Sequence, residues 1–150
     1  MGTFMTTNNK RILLVDDEPD IILAFKIGLE DHGFIVDAFD DPQTAASNFK
    51  CDVYDLLLLD IKMPKLNGLE FYYRMKEIDK KVKVCFITAS EIYYYEKITE
   101  EIFTLLGTRH LFRKPIKLED LVMALRKELG LISSNHNKKK NNKNNKAFYV

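Results

Sequence analysis

The sequence predicts an α/β fold, with parallel strands covered by helices on both faces. Three observations carry this. Five short apolar runs alternate with five segments of helical periodicity. One run, Tyr54–Leu59 (YDLLLL), is nearly unbroken, as expected of a strand buried on both sides. The length of 150 residues suits one domain, and a hydrophobic content of 46% can build its core.

The elements follow in order. Arg11–Val15 (RILLV) is the first strand and runs into Asp16-Asp17-Glu18-Pro19. Proline suits a helix start, where its missing N–H would have no partner anyway. Ile22, Phe25 and Leu29 then recur at helical spacing, and Gly33 closes the segment. Phe34–Phe39 is the second strand. Asp41-Pro42 opens a weaker helix through Ala45, Ala46 and Phe49. After the third strand comes a loop, Asp60–Asn67, and then a helix over Gly68–Ile78. Val82–Ile87 (VKVCFI) is the fourth strand. Ile92, Tyr95, Ile98, Ile102 and Leu106 mark a long fourth helix that ends at Gly107. His110–Phe112 is a short fifth strand. Leu118, Leu121, Val122, Leu125 and Leu129 form the strongest amphipathic pattern, with Gly130 as its C-terminal cap.

Composition sets further bounds. Of the 23 Lys and Arg residues, five are lysines within 133–150, a stretch without acids. The rest of the chain therefore carries 18 basic against 22 acidic residues, a net of −4. Residues 135–146 are nearly all Asn and Lys, so 133–150 is expected to be a disordered tail, as 1–9 is expected to be a flexible N-terminus. The tail has charge but few stacking residues, which makes specific nucleic-acid readout unlike it. Cys51 and Cys85 form no metal-ligand pattern and fit a reducing compartment. No apolar run reaches about 18 residues, which predicts no membrane span. Residues 1–9 lack the basic and apolar regions of a signal peptide, so the expected location is cytoplasmic.

The chemistry gathers at strand ends. Asp16 and Asp17 follow the first strand, Asp60 the third, Thr88 the fourth, and Lys114-Pro115 the fifth. Ligand sites in open α/β sheets form beyond the carboxyl ends of the strands. Three carboxylates, a hydroxyl and an ammonium are thus expected at one edge. A divalent cation would relieve the repulsion among the acids, and an all-oxygen site favours Mg²⁺ or Mn²⁺. One screened carboxylate could attack phosphorus, with the hydroxyl and the ammonium holding phosphoryl oxygens. Each residue also has a plainer reading: Asp16 and Asp17 as a helix N-cap, Asp60 as a strand end, Thr88 as a turn residue, Lys114 as a surface lysine.

The ordered set VDD (15–17), LLLLDIKMP (56–64), ITAS (87–90) and RKPI (113–116) resembles the receiver domain of two-component response regulators. The resemblance spans Lys10 to Leu131, giving a domain over 10–132. It implies a flavodoxin-like (βα)5 doubly wound sheet of strand order 2-1-3-4-5. It implies Asp60 as phosphoacceptor, and Asp16, Asp17, Asp60 and the backbone carbonyl of Lys62 as Mg²⁺ ligands. Thr88 and Lys114 would take the switch and phosphate-contact roles, and the Lys114-Pro115 bond would be cis. The implied partners are a histidine kinase or phosphotransfer protein and a downstream protein. The latter would meet the face of the fourth helix, fifth strand and fifth helix, on a monomer or weak dimer.

The chain departs from the family pattern in three ways. Leu111 stands where the family usually has Tyr or Phe, with Phe112 and His110 beside it. The Thr88–Lys114 interval is longer by about one helical turn, ~4 residues, near Tyr93-Tyr94-Tyr95. Only the tail follows the fifth helix. These tyrosines read either as a partly buried helix face or as a docking site. The function expected is a single-domain phosphorylation switch, not an enzyme beyond its own modification. The alternative is a receiver-like binding module that works without phosphate, suggested by Leu111. A third, an Asp-nucleophile phosphatase, is disfavoured because Lys62 stands where a second acid would serve. Lys62 and Ser90, two residues beyond Asp60 and Thr88, are expected to flank the path of hydrolytic water.

Overall fold

The computed structural model describes residues 9–89, 96–106 and 110–132, without the side chains of 96–99 and 103. Within them lie β1 (Arg11–Val15), α1 (Pro19–Asp31), β2 (Ile35–Phe39), α2 (Pro42–Asn48), β3 (Leu56–Asp60), α3 (Gly68–Ile78), β4 (Lys83–Thr88), α4 (Glu96–Leu106), β5 (Leu111–Arg113) and α5 (Leu118–Glu128). The strands form one parallel sheet in the order β2-β1-β3-β4-β5. This is the doubly wound, flavodoxin-like arrangement that the resemblance implied.

Side chains alternate across each strand, and the helices cover both faces. On one face Leu13, Leu57, Leu59, Val84, Phe86 and Leu111 pack with Ala45, Phe71, Met75 and Ile102 from α2, α3 and α4. On the other, Ile12, Leu14, Leu56, Leu58, Cys85, Ile87 and Phe112 pack with Phe25, Leu29, Leu121, Val122 and Leu125 from α1 and α5. Consecutive leucines 56–59 thus face opposite ways, and all four are fully buried. That is why the third strand reads as an unbroken apolar run.

Several bounds differ from the expected ones by one or two residues. β3 begins at Leu56, although the main chain of Asp55 already reaches both neighbours: its N–H donates to Arg11 O at 2.8 Å and its carbonyl accepts the Lys83 N–H at 3.2 Å. The Tyr54 hydroxyl donates to Asp37 Oδ2 at 2.7 Å, and Asp55 Oδ2 accepts the Arg11 N–H at 2.8 Å. β3, β4 and β5 continue one residue beyond their apolar runs, to Asp60, Thr88 and Arg113. Ladder hydrogen bonds do not stop where side chains become polar. Gly33 (φ 93°) and Gly130 (φ 71°) take the left-handed conformation that ends α1 and α5. Of the expected fourth helix, Ile92, Tyr95 and Gly107 lie outside the described residues, as does the side chain of Ile98. No described helix is long and apolar enough to cross a membrane.

Candidate functional site

Parallel pairing brings the strand ends level. Val15 pairs with Leu59, Asp60 with Ile87, and Thr88 with Arg113. The residue after β1, the last residues of β3 and β4, and the residue after β5 therefore share one edge. Main-chain bonds extend the ladders into the site: Asp16 N–H donates to Phe39 O at 3.2 Å, and Lys114 N–H to Thr88 O at 2.7 Å.

Lys114 is the hub. Its Nζ lies 2.7 Å from Asp16 Oδ2, 3.4 Å from Glu18 Oε1 and 3.5 Å from Asp60 Oδ2, with the side chain only 10% exposed. Asp16 and Asp60 are buried, whereas Asp17 and Glu18 are exposed at the rim. Carboxylate oxygens of Asp16, Asp17, Glu18 and Asp60 all lie within 4.8 Å of one another. Asp16 Oδ1 also accepts the Glu18 N–H at 2.9 Å, and Asp60 Oδ1 accepts the Lys62 N–H at 3.2 Å. The Thr88 side chain is buried, and its hydroxyl donates to the Ala89 carbonyl at 3.3 Å. The Lys114-Pro115 bond is cis.

The electrostatics follow from four acids around one ammonium. Burial and the neighbouring Asp16 charge push Asp60 up to about 7, against the pull of Lys114 and the Lys62 N–H. Burial alone would lower Lys114. The Asp16 hydrogen bond and the charges of Asp60, Asp16 and Glu18 outweigh it and hold the ammonium above its usual range. Excess negative charge on oxygen donors, with no imidazole or thiolate among them, fits a hard divalent cation such as Mg²⁺. The other acidic group among the described residues, Cys51, Asp52 and Asp79, is different in kind. There the Asp79 oxygens accept main-chain N–H groups of Asp52 and Lys81, at 3.0 Å each.

The structure thus brings Asp16, Asp17, Asp60 and Lys114 together and puts Thr88 at the end of the adjacent strand. Two contributors were missed in the sequence. Glu18 was read only as part of a helix start, yet its carboxylate reaches Lys114. Gly68 opens α3 directly against β3: a Cβ there would lie 2.3 Å from the Asp60 carbonyl oxygen. A glycine after Asn, at the head of a helix following the acid strand, was the available signal. Leu111 and Phe112 are both buried but on opposite faces of the sheet, Leu111 towards α3 and α4 and Phe112 towards α1 and α5. The neighbouring aromatic therefore does not stand in for the one that Leu111 replaces. Ser90 and Tyr93–Tyr95 lie outside the described residues.

Comparison with known proteins agrees with this geometry. The family model described as "Response regulator receiver domain" matches residues 12–126. The transcriptional regulatory protein TrcR of Mycobacterium tuberculosis is 35% identical over 117 residues, which are 77% of this chain and 44% of that protein. The transcriptional regulatory protein DltR of Streptococcus agalactiae is 32% identical over 116 residues, 77% of this chain and 50% of that protein. The chain thus spans about half the length of these relatives. A receiver domain protein from Clostridium thermocellum superposes with a TM-score of 0.67 at 25% identity, covering 81% of this chain and 95% of that one. A CheY-like receiver from Methanospirillum hungatei gives 0.70 at 23% identity, over 83% and 96%, and shares the fold. The family match over most of the chain shows that it belongs to the response regulator receiver domains of two-component signalling.

Proposed function

We propose that residues 10–132 of this chain act as a response regulator receiver that takes up a phosphoryl group on Asp60. The observation that supports it best is Lys114 Nζ among the carboxylates of Asp16, Glu18 and Asp60 at a parallel-sheet edge. In this reading an Asp60 carboxylate oxygen bonds to phosphorus as the donor's own bond to it breaks. The donor is a histidine kinase or a phosphotransfer protein. Asp16, Asp17, Asp60 and the Lys62 carbonyl hold Mg²⁺, or Mn²⁺ in its place. When bound, the ion supplies positive charge against the phosphoryl oxygens. Lys114 binds a phosphoryl oxygen, and Thr88 turns its hydroxyl from Ala89 towards another.

The new charge redirects Lys114 and Thr88 and rearranges the α4–β5–α5 face, which changes affinity for a downstream protein. The chain turns over no substrate beyond its own phosphoryl group, acts in the cytoplasm, and is a monomer or weak dimer. Incubation with acetyl phosphate and Mg²⁺ should add one phosphoryl group by intact mass, and Asp60→Asn should accept none. Label that persists in that variant moves the acceptor elsewhere.

The fully buried Leu111 favours one second reading, a receiver-like module that binds its partner without phosphate. Equal partner capture by wild type and Asp60→Asn, insensitive to Mg²⁺, would select that reading.

A further inference from the structure

α1 has two unlike sides. Phe25, Gly28 and Leu29 are buried, and Gly28 meets Leu118 of α5 so closely that a Cβ there would lie 2.5 Å from Leu118 Cδ2. The outward side runs Asp20, Leu23, Ala24, Ile27, Asp31, all exposed. Steps of three and four residues place these five on one stripe. Leu23 is 60% and Ile27 53% exposed, so the stripe is apolar at its middle and acidic at both ends. Neither aspartate forms an ion pair with another described residue. A surface helix normally turns charge outward, so this inversion calls for a cover.

A second copy of the chain is a poor cover. Stacking two such stripes antiparallel sets Asp20 against Asp31, and stacking them parallel sets each aspartate against itself. Acid meets acid either way. The complementary occupant has an apolar patch with cations beside it, and this chain carries one. Residues 143–150 read Lys143-Asn144-Asn145-Lys146-Ala147-Phe148-Tyr149-Val150. The described residues end at Ile132, six residues after Arg126, whose Nη2 donates to His32 O at the C-terminal end of α1 at 3.3 Å. Residues 133–146 can span up to about 45 Å, whereas α1 is roughly 20 Å long. Reach is ample, and closing a loop of this size carries a modest entropic cost.

We propose that residues 143–150 dock on the outward stripe of α1. Phe148 and Tyr149 cover Leu23 and Ile27, and Lys143 and Lys146, both on the N-terminal side of the rings, lie against Asp31. The docked segment borders the acidic pocket, because α1 starts directly after Glu18. It therefore competes with any macromolecule that approaches Asp60 across α1. The contact does not depend on phosphorylation.

Methyl NMR on the full chain tests it. In wild type, the Leu23 and Ile27 methyl signals should be displaced by the aromatic rings. Phe148→Ser with Tyr149→Ser should return them to ring-free positions, with the core methyls of Leu57 and Leu58 as folding reference. Dilution should leave the wild-type displacement unchanged, as an intramolecular contact requires. Asp31→Lys should reduce it, and adding Lys146→Asp to that variant should restore part of it. Identical Leu23 and Ile27 signals in wild type and the Phe148/Tyr149 variant would overturn the proposal. So would a displacement that fades on dilution, which would assign the stripe to a second molecule.

Discussion

Asp60 carries two opposing demands in one side chain. Burial next to Asp16 disfavours its charge, whereas nucleophilic attack needs the carboxylate. With its pKa pushed up to about 7, the folded ion-free protein keeps a proton that the unfolded chain loses near its usual value of about 3.9. Ion-free stability is then fully present below about pH 4 and is lost as pH rises through about 7. Asp60→Asn should remove that slope and gain about 1–2 kcal/mol at pH 8, read as urea midpoints across pH. Millimolar Mg²⁺ should raise the wild-type midpoint at pH 8 and do much less for Asp60→Asn. At the neighbouring position, Lys62 is exposed beside the acceptor. If its long cationic side chain obstructs attacking water, Lys62→Ala should shorten the phosphoryl lifetime after the donor is removed. An unchanged decay rate would discard that role.

At the level of elements, the site depends on how closely α3 is drawn to β3. Asn67 caps α3 by accepting the Glu70 N–H at 2.9 Å and donating to Glu70 Oε1 at 2.6 Å. Gly68 N–H reaches Ile61 O at 2.9 Å. The helix start therefore sits against the Asp60 carbonyl with no room for a side chain. Gly68→Ala must move either the helix or the end of β3, at about 1–3 kcal/mol. It should lower the thermal midpoint and slow acetyl phosphate labelling together. Asn67→Ala removes only the cap, at about 1 kcal/mol, and should leave the labelling rate near that of wild type. Leu111 packs with Ile102 of α4, and the Tyr73 hydroxyl of α3 donates to Glu101 of α4 at 2.7 Å.

Taken as a whole, the molecule is one sheet shared by two apolar layers, which should make it unfold as a unit. Leu57 and Leu58 are chain neighbours but belong to different layers. Leu57→Ala and Leu58→Ala should each cost about 2–5 kcal/mol. Both should shift one common transition, seen alike by tyrosine fluorescence and circular dichroism. Separate transitions would mean that the layers fold independently. The order of elements and the chemistry at strand ends were legible in the sequence. Hydrophobic periodicity and turn residues are local properties, and a parallel sheet sends every strand's carboxyl end to one edge. Which groups meet at that edge, and how closely, follows from the folded chain. Lys114 lies closer to Asp16 than to Asp60, and Glu18 joins the cluster. These outcomes turn on strand order and residue register between segments far apart in the chain, which hydrogen bonding across the sheet sets and no local pattern encodes.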